Sequence, residues 1–392
     1  MNAKGSSTIY SINAVLMALY PVLDIYYWGG LPIGIGSILL LLSGLLSIFI
    51  AKPSISNKEV VVWMSMMIIV SFLTYLVQSN ESWFSSSFHW HNLIVIAYIL
   101  FIIVSSGSRI NIQQFLKFGV IIGIIASLIC IYQRFRLVTT GSFESFYLPG
   151  LSLGEDMEMK VTTLTRPAAF FTEPAHLSLY VIPMFYYALL SNRPIAAIIL
   201  AIGALASGST TGFLLLGLLL LVFLFRKGSK KRKAIYTIFF IVAGLIIIRY
   251  APSILQENVE KFNETDTSEN IRLLGGALIW RFFSMTDVIF GIGLNQLENF
   301  AMSYSLLLKN YSGALIYTFT CYGLLGLGAT IWFIISLFKK SYANIGSILI
   351  FLGVFCTDQI LFNRNLVFLL IFVECMRRLN EQQSIKEKVT MK

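Results

Sequence analysis

Apolar residues run along this chain in long blocks, separated by short polar breaks. The pattern predicts membrane-spanning helices near 9–27, 31–51, 60–78, 91–106, 113–135, 174–191, 194–207, 209–226, 234–250, 312–338, 343–361 and 365–376. About 20 apolar residues carry an α-helix across the hydrocarbon core, and fewer suffice where the bilayer thins. The segments 194–207, 209–226 and 365–376 are short, so the expectation is about 12 spans (10–12). Two stretches break the pattern, at 136–173 and 251–311, and the polar residues collect there. Within the second, "ENIRLLGGALIWRFF" has apolar residues at helical spacing and predicts a short helix at the membrane surface. No alternation of short apolar and polar positions supports a β-barrel.

Composition narrows the class. Of 392 residues, 57% are hydrophobic and 12% charged, and the mean hydropathy is +0.78. No soluble domain of this length buries so much apolar surface. The expected fold is all-α, a single polytopic membrane helix bundle over 1–392. The net charge of +10 points to nucleic acid in a soluble chain; in a membrane chain it is the positive-inside bias. With the N-terminus cytoplasmic, the inside segments hold Lys4, Lys52, Lys58, Arg109, Arg193, the run "RKGSKKRK" (226–233), Lys339, Lys340, Arg377 and Arg378. Both termini are then cytoplasmic and the two long loops face out. The 226–233 run is a topology anchor or a site for anionic lipid. The first apolar run lacks a small-residue cleavage site and reads as a span, not a signal peptide. Cys130, Cys321, Cys356 and Cys375 fall in apolar segments without metal-ligand spacing, so neither metal nor cofactor is expected.

The candidate chemistry lies in three places. In "RPAAFFTEPAH" (166–176), Pro167 keeps Arg166 out of helix and Pro174 suits a first helical turn. Glu173 then sits at a helix N-terminus, where the macrodipole favours a carboxylate, and His176 lies just inside. The plain alternative is a helix cap with a core-bonded histidine; ionisable groups at a membrane cavity favour function. In "ASGSTTGF" (206–213), small and hydroxyl residues including Ser209 and Thr210 separate a pair of short apolar segments. Such a turn lines a polar cavity and offers N–H groups to an anion, or is a hairpin packed through small residues. The third place is the second loop, with Arg249, Arg272 and Arg281 near it. Arginine binds phosphate in a bidentate way; pairing with Glu257, Glu260, Glu269 or Asp287 is the alternative. Asp24 and the pair Asp358/Arg364 are weaker signals.

These residues bring a resemblance with them. "RPAAFFTEPAH" resembles the Arg-x-x-x-Phe-x-Glu-Pro pattern of Wzy-type polysaccharide polymerases, in the O-antigen polymerase and ligase superfamily, with the glutamate one residue later. "SGSTTG" is similar to that family's Ser-rich turn. "IRLLGGALIWRFFSMTDVIFGIGLNQ" resembles its Arg…Arg…Gly-x-Gly stretch, and "YGLLGLGATIWFI" the helix that follows. The likeness covers roughly 150–340; the first third of the chain adds only hydropathy.

The resemblance implies a multi-helix membrane glycosyltransferase in the bacterial inner (cytoplasmic) membrane, metal-independent, active on the periplasmic or extracellular face. Donor and acceptor are polyprenyl-pyrophosphate-linked oligosaccharides, joined into O-antigen of lipopolysaccharide, a capsule or a secreted polysaccharide. A chain-length regulator and a flippase are its expected protein partners; nucleic acid is not. On that reading Glu173 or His176 is the base or acceptor orienter. Arg166, Arg272 and Arg281 clamp pyrophosphate, with Arg249, Ser209 and Thr210 also binding substrate. The sister ligases carry a histidine about eleven residues before the glycine matching Gly323; this chain has Ser312 there and no histidine in the second long loop. That favours polymerase over ligase. A flippase or transporter is the non-enzyme alternative, but no half-repeat with matched broken helices is visible.

Overall fold

The computed structural model describes residues 3–27, 33–48, 58–107, 109–148, 150–153, 166–225, 234, 237–238, 276–306, 312–341 and 345–390. The expected span at 234–250, the basic run 226–233, Arg249 and Arg272 lie wholly or almost wholly outside these residues.

The described helices follow the apolar blocks. They are α1 (Ala3–Leu23), α2 (Ile35–Ile48), α3 (Lys58–Gln78), α4 (Ser86–Ser106), α5 (Ile112–Thr140), α6 (Pro174–Leu190), α7 (Pro194–Ala206) and α8 (Thr210–Phe225). After these come the short α9 (Gly276–Ile279), α10 (Met285–Phe290) and α11 (Leu297–Ser303). The long α12 (Ala314–Ser341), α13 (Ile345–Thr357) and α14 (Arg364–Thr390) complete the set. A ribbon pairs β1 (Tyr26–Tyr27) antiparallel to β2 (Ser152–Leu153). Among the described residues, four helices, α3, α4, α5 and α12, are long and apolar enough to cross a membrane.

Local chemistry sets the ends. Asn111 caps α5, its Oδ1 accepting from the Gln114 amide at 3.2 Å. Gly141, at φ 73°, ends the same helix in the left-handed conformation glycine adopts without cost. The helix therefore runs to Thr140, past the loop boundary expected at 136. Helix α1 stops at Leu23, short of the expected 27, because Tyr26 and Tyr27 leave it for the ribbon. The last helix extends well beyond the apolar block that ends near Met376.

Helix α5 displays the inside-out pattern of a bilayer element. Ile121, Ile125, Leu128, Tyr132 and Phe135 form an exposed apolar stripe at helical spacing. The opposite face buries Ala126, Cys130, Gln133 and Arg134. Apolar residues face out, and the polar pair faces protein.

The chain forms two compact units. In the first, α5 packs on α1, α6 and α7, and α6 on α7 and α8. Small residues permit close approach: a Cβ on Gly203 of α7 would stand 2.3 Å from the Ser127 side chain of α5. Tyr180 of α6 donates to the Ala18 carbonyl of α1 at 2.8 Å.

In the second unit, α3 packs on α4 and α12. Trp63 of α3 stacks on Phe333 of α12 at 4.5 Å and donates its indole N–H to Thr330 at 3.1 Å. Helix α12 is broken at Gly323, where φ 58° and ψ −157° are open to glycine. The break frees carbonyls, and the segment 291–296 uses them. The Ile292 amide donates to Thr320 O at 3.0 Å and the Gly293 amide to Cys321 O at 2.9 Å. Side chains pair two of its carbonyls. Gln78 Nε2 donates to the Gly291 carbonyl at 3.0 Å, and Asn92 Nδ2 to the Leu294 carbonyl at 2.9 Å. The sequence placed "GIGLNQ" in an outer loop; Gly291 to Leu294 and Gln296 are buried. Buried irregular backbone is tolerated where its polar groups find partners, and here the broken helix supplies two acceptors and Gln78 and Asn92 two donors.

Candidate functional site

Helix α6 begins at Pro174 with Glu173 at its N-cap, as the sequence predicts. Glu173 has extended backbone (φ −147°, ψ 149°), and its carboxylate does not close the cap. It therefore remains available at the positive end of a helix. His176 follows in the first turn. Its Nδ1 and the Thr172 hydroxyl are 2.8 Å apart, which fixes the ring. Nε2 has no hydrogen-bond partner among the described residues.

The approach to this helix is an irregular buried strand of chain. Ala168, Ala169, Phe170, Phe171 and Thr172 are all at most 5% exposed. Ala169 holds φ at 54°, a left-handed conformation disfavoured for a residue with a Cβ. Its amide donates to Gln133 Oε1 at 2.8 Å.

The turn between α7 and α8 lies against the same place. By helix rise, α7 with its 13 residues and α8 with 16 are each shorter than a bilayer core of about 30 Å. Ser207, Gly208 and Ser209 are buried. Gly208 turns the chain at φ 69°. Ser209 Oγ accepts from the Gly212 amide at 3.2 Å, so this hydroxyl caps α8. Thr210 is half-buried in the first turn of α8. A Cβ on Gly212 would stand 2.6 Å from Ser178 Oγ, so this turn packs on α6 two residues beyond His176.

Arg166 joins the two irregular segments by donating Nη1 to the Gly208 carbonyl at 3.3 Å. A second guanidinium, Arg134 of α5, donates Nε to the Ala206 carbonyl at 2.7 Å and is 8% exposed. Two cations thus meet the carbonyl end of α7, where the helix dipole favours positive charge. Together, Arg166, Arg134, Glu173, His176 and the 207–210 turn combine a carboxylate, an imidazole and fixed positive charge on buried backbone.

Of the other expected site residues, Arg249 and Arg272 lie outside the described residues. Arg281 belongs to the second unit; it is exposed, its guanidinium 4.7 Å from the centre of the Phe282 ring. Asp287, offered as an arginine partner, accepts instead from Gln78 Nε2 at 2.6 Å and from the Ser284 amide and hydroxyl, each at 2.7 Å. Among the described residues, no group of three or more His, Cys, Asp or Glu side chains is placed to hold a metal ion. Gln133 and Arg134 were not singled out from sequence. The signal available was two adjacent polar residues in an otherwise apolar span, which by default face the protein interior.

No family model matches this chain, and no match was found among the curated proteins.

Proposed function

We propose that this chain is a membrane glycosyltransferase that joins polyprenyl-pyrophosphate-linked oligosaccharide units into a surface polysaccharide, on the outer face of the bacterial cytoplasmic membrane. The observation that carries the proposal is the Glu173 carboxylate, uncapped at the head of α6, beside a turn that Arg166 ties to the same segment.

The chemistry follows from these groups. The acceptor hydroxyl attacks the anomeric carbon of the donor glycan, forming a glycosidic bond. The bond from that carbon to the pyrophosphate oxygen breaks. The hydroxyl proton passes to Glu173 or to His176 Nε2. Negative charge gathers on the departing polyprenyl pyrophosphate, where Arg166 offsets it. Thr210, in the first turn of α8, is proposed as a hydroxyl partner of that group.

The experiment is a gel of surface and lipid-linked glycan from cells lacking this chain. The expected result is loss of the ladder, with single-repeat glycan on its final carrier. Full-length polymer stranded on the lipid carrier would instead mean ligase. Repeat units trapped on the inner leaflet would mean flippase. Complementation with Glu173→Ala or Arg166→Ala should leave insertion intact and yield no polymer; full activity in both removes the proposed site.

A further inference from the structure

Gln133 makes a contact that its place in an apolar helix does not require. It is 3% exposed and uses both ends of its amide. Oε1 accepts from the Ala169 amide at 2.8 Å, and Nε2 donates to the Glu144 carbonyl at 3.1 Å. One partner is a backbone donor and the other a backbone acceptor, so only one orientation of the amide satisfies both.

Ala169 is the strained residue of the segment that carries Arg166 and Glu173. A left-handed alanine persists only where its surroundings over-determine it. Without Gln133 its buried amide would lack an acceptor, and the turn at Ala169 would lose its hydrogen bond to α5. The rest of the segment is tied by Arg166 to Gly208, by a turn bond from the Phe171 amide to the Ala168 carbonyl at 3.0 Å, by Thr172 to His176, and by Pro174 at the start of α6. Gln133 is the contact that anchors that turn to α5.

Resting on the glycosyltransferase reading, we propose that Gln133 is a positioning residue: its amide fixes the 166–173 segment so that Arg166 and Glu173 face the transferring glycan together. It touches no reacting atom; it acts through Ala169.

The test uses full-length protein in lipid vesicles. Gln133→Met keeps the length of the side chain and removes both hydrogen bonds. The expected result is normal insertion, with amide exchange in the peptide spanning 166–173 faster by about tenfold. Turnover of the lipid-linked fraction extracted from cells lacking the chain should fall about tenfold, with KM within about twofold of wild type. Gln133→Glu, whose carboxylate still accepts from the Ala169 amide, should restore much of both readouts. Ala169→Gly added to Gln133→Met should restore some of each, because glycine adopts the left-handed region freely.

Unchanged exchange in Gln133→Met overturns the proposal, and so does faster exchange with full turnover. Should Gln133→Met not accumulate, Gln133→Asn, too short to reach Ala169, carries the same expectations. An unaltered glycan in cells lacking the chain removes the polymerase reading instead; the exchange comparison then decides separately whether Gln133 holds the segment.

Discussion

Arg134 of α5 donates its Nε to the carbonyl oxygen of Ala206, 2.7 Å away at the last residue of α7. The bond crosses from a long helix to the end of a short one and sets where the following turn lies. Arg166 reaches the same turn at Gly208.

Replacing Arg134 with Met should therefore cost stability as well as activity. It leaves the Ala206 carbonyl without this donor, a loss of about 1–3 kcal/mol for a charged hydrogen bond. Thermal unfolding in detergent should shift downward, and polymer synthesis should fall. Arg134→Lys should not rescue fully, because a lysine ammonium lacks the planar, directional fork of arginine.

Thr172 and His176 form a pair one turn apart, 2.8 Å between hydroxyl and Nδ1. Thr172→Val keeps the shape and removes the hydroxyl. If His176 handles the proton, turnover falls about tenfold while insertion and unfolding temperature stay near wild type. If Glu173 alone handles it, Thr172→Val and His176→Gln both retain most activity while Glu173→Gln does not.

Gly323 carries the break in α12. A Cβ there would lie 2.4 Å from the Ile289 carbonyl group, in a backbone conformation L-residues avoid. Gly323→Ala should destabilise by about 3 kcal/mol or more through strain and displacement of the 288–293 backbone. Size-exclusion profiles of detergent-solubilised protein should show aggregation or loss of the monodisperse peak.

Asp287 is 6% exposed and is the acceptor of the capping box with Ser284 at the head of α10. It also holds Gln78 of α3. Asp287→Ala should cost about 2–4 kcal/mol, since it removes the acceptor of the Ser284 amide and leaves Gln78 short of one. Asp287→Asn should cost less, because its amide oxygen still caps. Proteolysis in the 284–291 region reads the difference.

The sequence by itself determined the features whose causes are local. Long apolar blocks must be helices in a bilayer, since no other single element satisfies its own backbone there. Glu173 before Pro174 marks a helix start, because proline lacks the N–H that a first turn leaves unused. Glycine and serine at 207–209 mark a break between two segments too short to stand alone. Tertiary structure decided what those features meet. Nothing local says that Gln133 will accept from a left-handed Ala169, or that Arg134 will reach Ala206. Such bonds depend on how α5 rotates against α6 and α7, which is fixed by packing over many residues. The burial of 291–294 and Gln296 was illegible for the same reason. A stretch rich in glycine and amides reads as exposed loop until a helix broken elsewhere, at Gly323, offers it the carbonyls of Thr320 and Cys321.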